Sequence, residues 1–262
     1  MLKRTIQLLA LCITLSYTCF GQKDKVVKEM QLSSYLDTVS NWQDRTMNDS
    51  TTADDSIVKY DSLFTFKLLT YTQNIPATLK WDFKSLATSI NILTSDDGLF
   101  RIYSWDNEQD ITERTYTDII QYKSNKKVYA YLENGYQSED SPLYCNLFTL
   151  KTKHKTYYIV TSHAQVASSR YYDAVKVYTI DTGRANDSVK LFNIDSVLHG
   201  SISYEWKATG QYHTKNGIDY DNTIEYDKNT QSLMIPVVYE NGNVSKRFTI
   251  YRFDGQYFEK VK

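Results

Sequence analysis

Residues 95–107 read SDDGLFRIYSWDN and bring together two adjacent acids, a glycine, an arginine and a Trp-Asp dipeptide. If 99–105 is a strand, Leu99, Arg101, Tyr103 and Trp105 share one face, and Phe100, Ile102 and Ser104 share the other. The second set is the better core. The first would present a guanidinium between two aromatic rings, a surface suited to a polar ring or a carboxylate. Arg101, Tyr103 and Trp105 are therefore the candidate ligand-binding residues. The competing reading packs Arg101 along its aromatic neighbours or pairs it with an acid. Asp96 and Asp97 would point opposite ways in a strand. Asp97-Gly98 is a preferred pair for a type I′ turn, so these acids read as turn chemistry.

Other reactive groups are dispersed. Glycoside hydrolysis needs two carboxyls about 5–9 Å apart across a cleft, and no local motif selects such a pair from the 31 acids. The run GIDYDNTIEYDKN (217–229) gathers Asp219, Asp221, Glu225 and Asp227. Asp-x-Asp can chelate calcium, but the run lacks the glycine and distal glutamate of an EF-hand loop and reads as a solvated loop. His154, His163, His199 and His213 make no H-x-H or H-E-x-x-H spacing, so no metal site is expected. There is no G-x-S-x-G elbow and no phosphate-binding glycine loop. Cys145, in YCNLFTL, reads as a small buried hydrophobe. No cofactor is expected.

The elements that must position these residues fall into two textures. Residues 23–75 contain neither glycine nor proline. Leu32, Leu36, Val39 and Trp42 form one helical stripe, and Ile57, Tyr60, Phe64, Leu68 and Tyr71 form another. The spacing predicts amphipathic helices over 25–44 and 53–73, with Thr52 and Asp55 as a capping-box variant and Pro76 as the stop. From Thr78 onward the pattern is strand, turn, strand. SINIL, LFRIYSW, VYAYL, YCNLFTL, TYYIV, AVKVYTI, SISYEW, SLMIPVVY, KRFTIYRF and QYFEKV read as strands, and glycines follow Asp, Asn, Thr or His between them. Short connections favour antiparallel pairing. Pro236 marks an edge or a bulge. The expectation is a mostly β fold, an antiparallel meander resembling a partial propeller or twisted barrel, preceded by a pair of amphipathic helices.

Composition narrows the setting. Lys3 and Arg4 precede IQLLALCITL and then SYTCFGQ, the pattern of a secretory signal peptide with its cut after Gly21. Acylation at Cys19 is the alternative, disfavoured by Tyr17 and Thr18 beside the cysteine. Cleavage leaves Cys145 as the only cysteine, so the mature chain relies on a packed core rather than internal disulfides. Removing Lys3 and Arg4 leaves 28 basic against 31 acidic residues. No basic block exists, which excludes nucleic acid as an expected partner, and no later segment reads as an integral membrane span. Tyrosine is abundant, 23 in the full chain, and suits half-buried sheet surfaces or an aromatic binding face.

The leader ending CFGQ, the segment TSDDGLFRIYSWD (94–106) and the closing IPVVYENGNVSKRFTIYRFDGQYF (235–258) resemble the exported β-rich proteins of Bacteroidetes. That resemblance implies compartment and fold, a periplasmic or extracellular β protein, and no catalytic residues. The expected organisation is a signal peptide over 1–21, a helical segment over 22–76 packed on the β part, and an antiparallel β domain over 77–262. The expected function is a non-catalytic module binding a glycan, a peptide or an envelope protein through an aromatic face. The alternative is a hydrolase acting on envelope or dietary polymers through dispersed carboxylates.

Overall fold

A computed structural model describes residues 24–45, 50–107, 114–133, 141–208 and 224–261. Residues 1–21, the expected leader, lie outside the described residues. Helix α1 spans 24–43 and α2 spans Ser50–Asn74. Thr52, expected as a cap, instead lies inside α2, where its carbonyl accepts a hydrogen bond from Ser56 Oγ at 2.8 Å. The helix stops where expected. Ile75 is extended, at φ −120° and ψ 90°, because the proline ring that follows excludes the helical conformation. Pro76 then opens a short 3₁₀ turn, Pro76–Lys80, where a missing N–H is tolerated.

The chain divides into two compact units, one of residues 1–68 with Asp82–Ser89, the other of Leu69–Trp81 with Ile90–Lys262. In the first unit Leu32, Val39, Ile57, Phe64, Phe83 and Leu86 are buried. Lys25 pairs with Asp82, and Glu29 Oε1 accepts from the Ser85 N–H at 2.6 Å.

The second unit holds three open sheets. The first has the order β1 (Asn91–Thr94), β2 (Phe100–Asp106), β3 (Tyr116–Ser124), β4 (Lys127–Leu132). The second contains β5 (Leu143–Lys151), β6 (Thr156–Ala167), β7 (Arg170–Asp181) and β11 (Ser201–Lys207), in the order β11-β7-β6-β5, with β8 (Arg184–Asn186) beside β7. The third contains β9 (Phe192–Ile194), β10 (Val197–His199), β12 (Glu225–Asp227), β13 (Ser232–Val238), β14 (Val244–Phe253) and β15 (Phe258–Lys260), in the order β10-β9-β15-β14-β13-β12. Among the described residues every pairing is antiparallel except β15 with β9. The architecture is mostly β and antiparallel with two N-terminal helices, as expected, and no barrel closes.

The second sheet is sandwiched between the other two. Because side chains alternate along a strand, β5, β6 and β7 each feed two cores. On one face Tyr144, Tyr158, Val160 and Tyr178 meet Phe100, Ile102 and Ile120 of the first sheet. On the other, Leu150, Ile159, Val175 and Val177 meet Leu233, Ile235, Tyr251 and Phe253 of the third. Tyrosine abundance follows from this arrangement: phenols fill the first interface, with Phe100 stacked on Tyr158 at 4.7 Å between ring centres. Pro236 sits at a register shift between β13 and β14, the bulge it was expected to mark.

Type I′ geometry appears away from the glycines. Asn125 and Lys126 have φ of 49° and 67° between β3 and β4, and Asp195 and Ser196 have 50° and 67° between β9 and β10. At the β1–β2 turn only Gly98 has a positive φ, of 66°, which corrects the type I′ expectation for Asp97-Gly98.

Candidate functional site

The three expected ligand residues are buried: Arg101 is 6% exposed, Tyr103 0% and Trp105 1%. The face they share is therefore not the open surface expected of it; β2 is covered on both sides. Arg101 Nη1 donates to the carbonyls of Thr78 at 2.9 Å and Trp81 at 2.7 Å, and Nε donates to Thr94 Oγ1 at 2.7 Å. The guanidinium thus anchors the residues after α2 to the first sheet. Tyr103 O–H donates to Gln121 Oε1 at 2.9 Å. Burial raises its pKa to about 12, with Arg101 opposing the rise, so it stays a neutral phenol. These contacts organise the fold.

The acids of the opening stretch do turn work, as expected. Asp97 Oδ1 accepts from Ser95 Oγ at 2.7 Å and from the Leu99 N–H at 3.0 Å. Asp96 pairs with Lys228. Asp219 and Asp221 lie outside the described residues. Asp227 caps its own turn, accepting from Asn229 N–H at 2.8 Å and Thr230 Oγ1 at 2.7 Å.

Chemistry-bearing groups converge elsewhere, at two places. The first lies between the first and second sheets. Ser104 is paired with Asp118 across β2 and β3, and the Glu133 N–H bonds to the Asp118 carbonyl at 2.9 Å. Register therefore aligns Ser104, Asp118 and Glu133 in one row. Glu133 Oε1 accepts from Tyr178 O–H at 2.6 Å and from Lys176 Nζ at 2.8 Å, while Tyr144 and Tyr178 hydroxyls meet at 3.0 Å. Asp118 differs: it is 0% exposed and neither carboxyl oxygen has a hydrogen-bond partner. Burial raises its pKa well above the usual carboxylate range; Ser104 works against the rise, Glu133 adds to it and Lys176 opposes it. Burial thus favours its neutral form.

The second place is the opposite face of the central sheet. His163 and Asp173 are directly paired across β6 and β7, and Nδ1 donates to Asp173 Oδ1 at 2.6 Å. Asp173 Oδ2 accepts from Tyr204 O–H at 3.0 Å and Trp206 Nε1–H at 2.9 Å. Tyr171 stacks between, 5.2 Å from the imidazole centre and 4.8 Å from Trp206. A carboxylate holding an imidazole by Nδ1 is the arrangement that orients a general-base histidine. The histidine is only 3% exposed, however. Cys145 is half-buried rather than fully buried, its Sγ donating to the Leu143 carbonyl at 3.4 Å; desolvation raises its thiol pKa, and Asp173 and Asp118 add to the rise. Sequence spacing hid this pair. Ten residues separate His163 from Asp173, and only the β6–β7 register joins them.

Among the described residues no three metal-ligating side chains converge. No protein-family model matches the chain, and no curated protein matches its sequence.

Among the described residues, the outer face of the third sheet is open along β14. Along β14, Tyr251 and Phe253 face the core. The alternate residues Lys246, Phe248, Ile250 and Arg252 are all exposed, Phe248 by 39% and Ile250 by 38%. Across the ladder the partly exposed Met234 stands opposite Ile250, while Pro236 opposite Phe248 is buried. Val261, 39% exposed, donates its N–H to the Ile250 carbonyl at 2.8 Å. The result is an apolar strip bracketed by two cations.

Proposed function

We propose that the protein is an exported, non-catalytic β-rich module that binds a segment of a partner protein on the outer face of its third sheet. One observation carries the reading: Phe248 and Ile250 stand exposed where a solvent-facing strand position is ordinarily polar. Lys246 and Arg252 flank them, so the complementary segment is apolar at its centre and acidic at its ends. The aliphatic members Met234, Ile250 and Val261 favour a protein over a glycan, because sugars seek flat aromatic rings set among polar groups. Export rests on the leader pattern in residues 1–21. No helix among the described residues is long and apolar enough to cross a membrane.

The hydrolase reading draws support from the His163–Asp173 pair. It is the weaker of the two, since both polar clusters lie under packed side chains and burial favours the neutral form of Asp118. Selection from a displayed peptide library, repeated with the double variant Phe248→Ser/Ile250→Ser, tests the binding surface. A hydrolysis assay on peptidoglycan and glycan panels, with His163→Ala as the control, tests the alternative. Turnover lost on His163→Ala overturns the non-catalytic reading.

A further inference from the structure

We propose that the chain forms a symmetric dimer through β11, the edge strand of the central sheet, independently of the third-sheet surface. β11 pairs with β7 on one side only, from Ser201 opposite Lys176 to Lys207 opposite Arg170. In an antiparallel ladder, backbone groups alternate between the neighbour and the outside. Ala208 N–H bonds to the Ser169 carbonyl beside β7, while Lys207 N–H points away to the Gly242 carbonyl at 2.8 Å. Even-numbered residues therefore serve β7, and Ser201, Ser203 and Glu205 direct their N–H and C=O groups outward. Those outward groups have no backbone partner among the described residues, and all three residues are exposed.

Both ends of the open stretch are fixed. Gly242 covers Lys207, and at Gly200 the chain crosses from β10 of the third sheet into β11. What remains, Ser201–Glu205, is centred on Ser203. A second copy related by a two-fold axis at that residue sets Ser203 against its twin and Ser201 against Glu205 of the second copy. The three facing pairs would make about six main-chain hydrogen bonds. No like charges face one another in this register. Sliding the copies so that Glu205 meets its twin would oppose two carboxylates and shorten the overlap. The exposed serines are small and let a neighbouring strand approach at about 4.8 Å. Edge strands are ordinarily blunted by lysine, proline or inward-pointing charge, and Ser201–Glu205 carries none of these at its centre. This self-complementarity singles out a second copy over an unrelated strand.

Sedimentation of the full mature chain between about 10 μM and 1 mM tests this, a range set by the small buried area of so short an edge. The wild type is expected to pass from monomer to dimer across that range. Ser203→Lys places two ammonium groups face to face and should weaken the dimer at least tenfold with an unchanged melting temperature. Ser203→Thr should retain it. A wild type that stays monomeric at the top concentration overturns the proposal. A Ser203→Lys variant that dimerises like the wild type also overturns it, as would a monomeric protein whose β11 edge instead captures displayed peptides in a Ser203-dependent way.

Discussion

Asp118 is the residue whose chemistry most constrains the molecule. Its carboxyl is fully buried without a partner, and its pKa in the folded chain lies above that in the unfolded chain. The folded state therefore holds a proton that the unfolded state has already released, and stability falls as pH rises above about 4. Asp118→Asn removes that linkage. The variant should match the wild type near pH 3.5 and exceed it by about 1–3 kcal/mol near pH 7 in denaturant titrations; a gap of equal size at both pH values would contradict the assignment. Trp105 argues in the other direction. At 1% exposure its truncation to alanine should cost about 3–5 kcal/mol, read as a lowered melting temperature. A Trp105→Ala protein as stable as the wild type would return this residue to the list of ligand contacts.

At the scale of elements, much of the β architecture was legible in the residues. Both helices and ten strand runs stand where periodicity and turn pairs put them, because those segments alternate cleanly or run apolar. β3 did not read as a strand. YTDIIQYKS carries Asp118 and Gln121 in its middle, and both are 0% exposed; buried polar groups break the pattern that marks a strand. Its hairpin to β4 also lacks a glycine, because Asn125 and Lys126 adopt the left-handed region themselves. The longest strand that sequence patterning misses is thus the one that carries the buried Asp118 carboxyl. Lys126, at φ 67°, bears a strain that glycine would not. Lys126→Gly should raise stability by about 0.5–1 kcal/mol in thermal unfolding. The short β8, β10 and β12, each of three residues, are too brief for periodicity to register.

At the scale of the whole molecule, the central sheet decides which residues can meet the outside. Covered on both faces, it draws tyrosines, Glu133, Lys176, His163 and Asp173 inward. Arg101, Tyr103 and Trp105 read as a surface because strand alternation separates two faces and says nothing about whether both are covered. The third sheet, packed on one side only among the described residues, shows an outer face. On the third, that face is apolar at Phe248 and Ile250 where solvent would favour polar side chains.

The most direct test of the proposed binding surface is peptide selection on the protein beside its Phe248→Ser/Ile250→Ser variant. The account predicts enrichment of segments with an apolar centre and acidic flanks on the wild type. It also predicts at least a tenfold loss of that binding in the variant, whose melting temperature should stay within a few degrees of the wild type. Undiminished binding to the double variant would contradict the account.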